Sequence, residues 1–293
     1  MAAMLTHTYA QPQKPTRVVV IGSGGFVGGA IVRRLADDGI AHLALSRAEL
    51  DLLAPGAGAK LAGLLRAGDA VVTAAAIAPC KTTAMLVDNM RMVQTLVEGL
   101  SAAPVEHVVN ISSDAVYADT PVPLTEDSPT APTSLHGAMH LAREIALGAE
   151  LHVPLAMLRP TLIYGAADPH NGYGPNRFCR LAAAGKEIVL FGEGEERRDH
   201  VAIGDVAEIA VRVLRQRSYG TLNVASGEVH SFRSVAEMAV ASAPKPVPIK
   251  SSPRTGPMPH NGYRPFDVAA TRHAFPDFCY TPLREGLRLA APT

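Results

Sequence analysis

A doubly wound α/β fold, with a parallel sheet covered by helices on both faces, is predicted by three features of this 293-residue chain. Short β-rich runs alternate with longer amphipathic stretches from Arg17 onward, the rhythm of successive βαβ units. The first run, Val18-Val19-Val20-Ile21, enters Gly22-Ser23-Gly24-Gly25-Phe26-Val27-Gly28 and then an apolar-periodic helix. After Tyr164 the rhythm breaks at Gly165, Asp168 to Pro169 and Gly172 to Pro175, which marks a loop-rich excursion out of the sheet.

Strands are expected at Arg17 to Ile21, His42 to Leu45, Ala70 to Thr73, His107 to Ile111 and Leu155 to Leu158, giving five parallel strands with helices between them. A helix at Asp205 to Arg215 and a strand at Thr221 to Ala225 return the chain to the sheet before a Pro-rich tail, Pro244 to Pro259. These breaks define a sheet domain of residues 16–164 and 200–226. They leave residues 165–199 and 227–293 as a smaller C-terminal substrate-binding cap. The first fifteen residues, with Gln11, Pro12 and Pro15, lack the basic-then-apolar order of a secretion signal and read as a loose tail.

Composition narrows the partners. With 27 basic and 27 acidic residues the formal charge is zero, so no basic surface for nucleic acid is implied. No apolar run reaches membrane-spanning length, and no membrane partner is expected. Cys80, Cys179 and Cys279 offer neither close metal-ligand spacing nor an even disulfide framework, which fits a reducing compartment and a cytoplasmic location.

The glycine run has a physical reading. Gly22 permits the tight turn, Gly25 lets the backbone approach a pyrophosphate, and Gly28 lets helix and strand pack closely. The amides of the helix start, at Phe26 and Val27, and the positive end of the helix dipole favour phosphate. The fold is therefore of the Rossmann type, with a pyridine dinucleotide as cofactor; a glycine-rich turn with no ligand is the bland alternative. At the end of the second strand an acid would accept the ribose hydroxyls of NAD, whereas a guanidinium suits a 2′-phosphate. Ser46 and Arg47 stand there, favouring NADP(H) with NAD as the alternative, unless Arg47 is only a solvated loop charge. Asp51 is a candidate adenine contact, and Ala75, just past the third strand, completes the expected cofactor contacts.

Several further segments, in order, carry a family resemblance. Val109-Asn110-Ile111-Ser112-Ser113-Asp114-Ala115-Val116-Tyr117, Leu158-Arg159-Pro160 to Ile163-Tyr164-Gly165, and Arg197-Arg198-Asp199-His200-Val201 to Asp205-Val206-Ala207 are similar to motifs of the extended short-chain dehydrogenase/reductases. That family comprises epimerases, dehydratases and reductases of nucleotide sugars, and the resemblance runs from Arg17 to Leu287. It implies that Ser113 hydrogen-bonds the reacting oxygen, with a serine capping a strand end as the plainer reading. Asp114 matches one of two acids that dehydratases use to expel water, but Ala115 replaces the other. Reduction, oxidation or epimerisation is left, with Asp114 as general acid or as a turn residue.

The family's Tyr-x-x-x-Lys pair falls on His136 and His140. In the family the tyrosine moves a proton and the lysine lowers its pKa and holds the nicotinamide ribose. A spacing of four puts both imidazoles on one helix face, and a histidine titrates near neutrality without a lysine. His136 then transfers the proton and His140 bonds the ribose hydroxyls. Two other readings stay open: a site that only binds its dinucleotide, as a non-catalytic responsive protein, or a zinc pair. For zinc, Gly137 stands where a zincin carries glutamate and no third ligand is evident, so no metal is assigned. The resemblance also implies a nucleotide-sugar diphosphate on the cap, met by Asn176, Arg198 and Arg264. It further implies a homodimer paired through helices near Thr83 to Leu100 and Ser134 to Gly148.

Overall fold

The computed structural model describes residues 4–290. The β-rich run opens the fold as β1 (Arg17–Ile21), whose Val18, Val19 and Val20 are wholly buried, as a strand covered on both faces requires. There follow α1 (Phe26–Asp37), β2 (His42–Leu45), α2 (Ala57–Leu64), β3 (Asp69–Thr73), α3 (Thr83–Ser101), β4 (His107–Ile111), α4 (Leu135–Glu150) and β5 (Leu155–Pro160). The excursion holds β6 (Leu162–Tyr164), α5 (Pro175–Ala183), β7 (Ile188–Phe191) and β8 (Arg197–Ala202). The chain returns through α6 (Ile203–Arg215) to β9 (Gly220–Val224). It ends on β10 (Val229–Ser231), α7 (Phe232–Ala241), β11 (Ile249–Ser252), β12 (Tyr263–Arg264), α8 (Ala269–Ala274) and α9 (Leu283–Ala290).

Six strands pair in parallel in the order β2-β1-β3-β4-β5-β9. The five expected strands are there, and β9, the expected return, joins them as a sixth against β5. Alternate residues of β1 serve opposite faces, the period of two that a strand imposes. Val18 and Val20 pack with α1 and α6, including Ile31, Leu35 and Ile209, while Val19 and Ile21 pack with Leu61, Leu96 and Leu147 from α2, α3 and α4. A third apolar cluster, including Phe178, Ile188, Phe232 and Leu287, holds the excursion and the C-terminal elements together. The strand order reverses between β1 and β3, and the crevice at their C-terminal ends is where α/β sheets bind ligands.

Two expectations need correction. The N-terminal segment is not loose from Met4 onward. Thr6 and Tyr219 exchange backbone hydrogen bonds of 2.8 and 2.9 Å, Leu5 is buried, and the His7 ring bonds Ser218 Oγ at 2.7 Å and the Ala274 carbonyl at 3.0 Å. The reason is an open sheet edge at β9, whose backbone groups need partners. The Pro-rich stretch likewise contains β11, which pairs in parallel with β7, because its prolines flank rather than interrupt Ile249–Ser252. Among the described residues no helix is long and apolar enough to cross a membrane.

Candidate active site

The crevice between β1 and β3 opens into a cavity of about 440 Å³ lined by Gly22, Gly25, Ser46, Arg47, Asp51 and Ala75. Gly22 has φ +92°, and a Cβ there would lie 2.5 Å from the Ala75 amide nitrogen, so only glycine lets the two turns meet. A Cβ on Gly28 would lie 2.2 Å from the Gly22 carbonyl oxygen, which is the close helix–strand packing foreseen. Gly25 caps α1 without any side-chain hydrogen bond, and no acid stands in the first turn, so the helix's first amides are left for an anion. These features fit a dinucleotide. The Phe26 side chain reaches toward Gly165 and that of Val27 packs against the core, so what these two residues can offer an anion is their backbone amides.

At the second strand's end the arrangement is richer than the sequence suggested. The Arg47 side chain is 80% exposed and pairs with Asp51 at 3.3 Å. Glu49, which sequence reasoning missed, accepts from both the amide and the hydroxyl of Ser46. Those hydrogen bonds hold its carboxyl below the usual carboxylate range. A carboxylate three residues after a strand-end serine was the available signal.

The other wall of the site comes from α4. Ser134 caps that helix through the Gly137 amide at 3.1 Å, and the helix start presses on the short turn Asp114–Val116. A Cβ on Gly137 would lie 2.0 Å from the Ala115 carbonyl oxygen. His136, Ser113 and Asp114 are thus brought together. The Cys80 amide donates to His136 Nδ1 at 3.4 Å, and Nε2 has no protein partner among the described residues. Burial draws the His136 pKa down, while the charge of Asp114 partly opposes that. The ring of His140 meets that of His136 edge to face, 4.7 Å between centroids, and its Nδ1 is buried without a partner. Burial first, then His136 and Arg143, hold His140 well below its ordinary value, so it is neutral. Among the described residues no three His, Cys, Asp or Glu side chains converge as metal ligands.

Ser113 Oγ accepts from the Ala115 amide at 3.2 Å, so the hydroxyl also caps its own turn. Asp114, expected as a general acid or a turn residue, and Arg264, expected on a diphosphate, meet directly. Arg264 is 2% exposed and donates through Nε to Asp114 Oδ2 at 2.8 Å and through Nη1 to Asp119 at 2.9 Å. The buried guanidinium needs counter-charge, and these two acids supply it. Arg198 is buried against Glu196 at 3.3 Å, and Asn176 Oδ1 accepts from the Gly165 amide at 2.8 Å. Asn176, Arg198 and Arg264 therefore each already have a protein partner. Behind the site, Glu144 on α4 is bonded by Arg159 through Nε at 2.9 Å and Nη2 at 2.6 Å, which locks the helix to β5.

A parallel α/β sheet whose glycine turn opens a cavity where the strand order reverses, with a polar helix start packed on a serine turn nearby, defines the class of Rossmann-type α/β proteins. Within that class the chain belongs to the NAD dependent epimerase/dehydratase family, whose sequence profile matches residues 18–225. It is 30% identical over 262 residues to a UDP-glucose 4-epimerase of Mycolicibacterium smegmatis, covering 78% of this chain and 82% of that protein. It is 27% identical over 318 residues to a dTDP-4-dehydro-6-deoxy-D-allose reductase of Streptomyces bikiniensis, covering 94% of each. Among solved structures, a UDP-glucose 4-epimerase from Thermus thermophilus in complex with NAD superposes with a TM-score of 0.78 at 24% identity, over 94% of this chain and 97% of that one. That likeness is one of fold.

Proposed function

We propose that the chain is an NAD(P)-dependent oxidoreductase or epimerase acting on a nucleotide-linked sugar, with His136 moving a proton at the reacting oxygen and Ser113 hydrogen-bonding it. The observation that carries this reading is the meeting of the α4 start with the Ser113 turn beside the dinucleotide crevice. The cofactor, when bound, would accept or supply hydride at its nicotinamide. Gly22 and Gly25 would hold its pyrophosphate, and exposed Arg47 supports NADP(H), with NAD the alternative. His140, kept neutral, has its unpartnered Nδ1 for a ribose hydroxyl. His136 acting as a base at Nε2 needs its own proton on Nδ1, and the 3.4 Å contact with Cys80 is long enough to open for that. On the cap side, Asn176, Arg198 and Arg264 are proposed to meet the sugar-nucleotide diphosphate by exchanging their present partners for it. A cytoplasmic homodimer is part of the same proposal.

A second reading, a non-catalytic dinucleotide-responsive protein, draws on the Ser113 hydroxyl capping its own turn and on the two histidines replacing the resemblance's tyrosine and lysine. The experiment is a thermal-shift panel of NAD(H), NADP(H) and nucleotide sugars, followed by hydride-transfer assays on every pair that binds. Stabilisation by a dinucleotide and a sugar nucleotide with measurable turnover is expected. Dinucleotide stabilisation with no turnover on any sugar nucleotide would put the second reading in place of the first.

A further inference from the structure

Four arginines are buried among the described residues, and three have carboxylate partners: Arg159 with Glu144, Arg198 with Glu196, and Arg264 with Asp114. Arg143 has none. It is 2% exposed on α4, under the ends of β3 and β4. Its guanidinium donates only to neutral acceptors: Asn110 Oδ1 at 2.6 Å, the Ala75 carbonyl oxygen at 2.5 Å and the Thr73 carbonyl oxygen at 3.0 Å. A buried charge without a counter-charge is costly, and the hydrogen bonds to neutral acceptors only partly offset that cost. Ala75 lines the dinucleotide cavity, so the uncompensated cation stands one peptide group behind its wall. Burial alone draws the Arg143 pKa down, to about 10, which leaves it charged at neutrality.

We propose that Arg143 is a buried, fixed positive charge behind the cofactor site and biases the bound dinucleotide toward its reduced form, a positioning role that rests on the cofactor assignment above. Oxidised and reduced dinucleotides carry the same pyrophosphate, but only the oxidised nicotinamide ring is cationic. Repulsion by Arg143 therefore falls on one redox form alone, and a ligand shifts an equilibrium only through such differential interaction. His140 adds no charge, since burial and Arg143 itself keep it neutral. A basic residue three positions after His140, on its helix face, was the sequence signal.

The test is the ratio of dissociation constants for NAD+ and NADH, and in parallel for NADP+ and NADPH, measured by calorimetric and fluorescence titration of the full chain. The natural protein is expected to bind the reduced form about tenfold more tightly or better. Arg143→Gln should bring the ratio toward one, and Arg143→Lys should keep it. Asn110→Asp, which places a carboxylate on the untouched guanidinium, should also lower it, and it decides the matter if Arg143→Gln fails to fold. A ratio near one in the natural protein overturns the inference. So does a ratio unchanged in Arg143→Gln and Asn110→Asp, since a purely structural role weakens both redox forms alike. If neither form binds, the cofactor assignment itself falls, and the inference with it.

Discussion

His136 shows how burial sets the chemistry open to one side chain. An exposed imidazole titrates at about 6.5, and desolvation within the α4 contact moves this one down, with Asp114 pulling weakly the other way. In the oxidation proposed for His136 the active form is the neutral ring, which exists above the folded-state pKa. The rate should therefore be flat through neutrality and fall only on acidification below the ordinary histidine value. A midpoint at or above about 6.5 in the pH–rate profile would contradict this. His136→Ala should slow turnover by about a hundred- to ten-thousandfold while leaving dinucleotide affinity within a few-fold, because Gly22 and Gly25 hold the phosphates. A loss smaller than about tenfold would remove His136 from the reaction. The sequence showed that two histidines share a helix face. It did not show that one ring nitrogen of His140 lies buried without a partner.

At the scale of elements the decisive contact is between α4 and the turn Asp114–Val116. Gly137 permits it, since an added Cβ would lie 2.0 Å from the Ala115 carbonyl oxygen and 2.7 Å from Pro132 Cβ. Gly137→Ala should push the helix start off the turn, costing about 1–3 kcal/mol in denaturant unfolding and most of the turnover. Gly148→Ala, on the same helix with nothing within 4 Å of its Cβ, is the control. It should be neutral, or stabilising by up to about 1 kcal/mol through helix propensity. Equal losses of stability in both variants would mean that close packing at Gly137 is not what holds the helix start in place. The helix period and the strand runs were legible residue by residue, because each depends on neighbours a few positions away. The contact of Gly137 with Ala115 was not, since it joins positions separated by a turn and a long loop.

For the whole molecule, burial of apolar surface is uneven. Two clusters flank the sheet and a third joins the excursion to the C-terminal elements, yet Val87 on α3 and Ile145 on α4 stay 49% and 63% exposed. Large apolar groups on two neighbouring helices support the proposed pairing of protomers through that face. Light scattering should give twice the chain mass at micromolar concentration. The double variant Val87→Glu with Ile145→Glu should give the mass of one chain and keep dinucleotide binding. A single-chain mass for the natural protein would end the dimer proposal.

By itself the sequence determined what local periodicity and backbone chemistry control: the βαβ rhythm, the glycine turn from Gly22 to Gly28, and the spacing of four that puts His136 and His140 on one helix face. Only the tertiary structure decided which charges meet. It joined Asp114 to Arg264 across 150 positions, drew the N-terminal segment onto the open edge at β9, and left Arg143 buried without a carboxylate. A charge's partner depends on distance in space and on the dielectric around it, and neither is written in the order of residues along the chain.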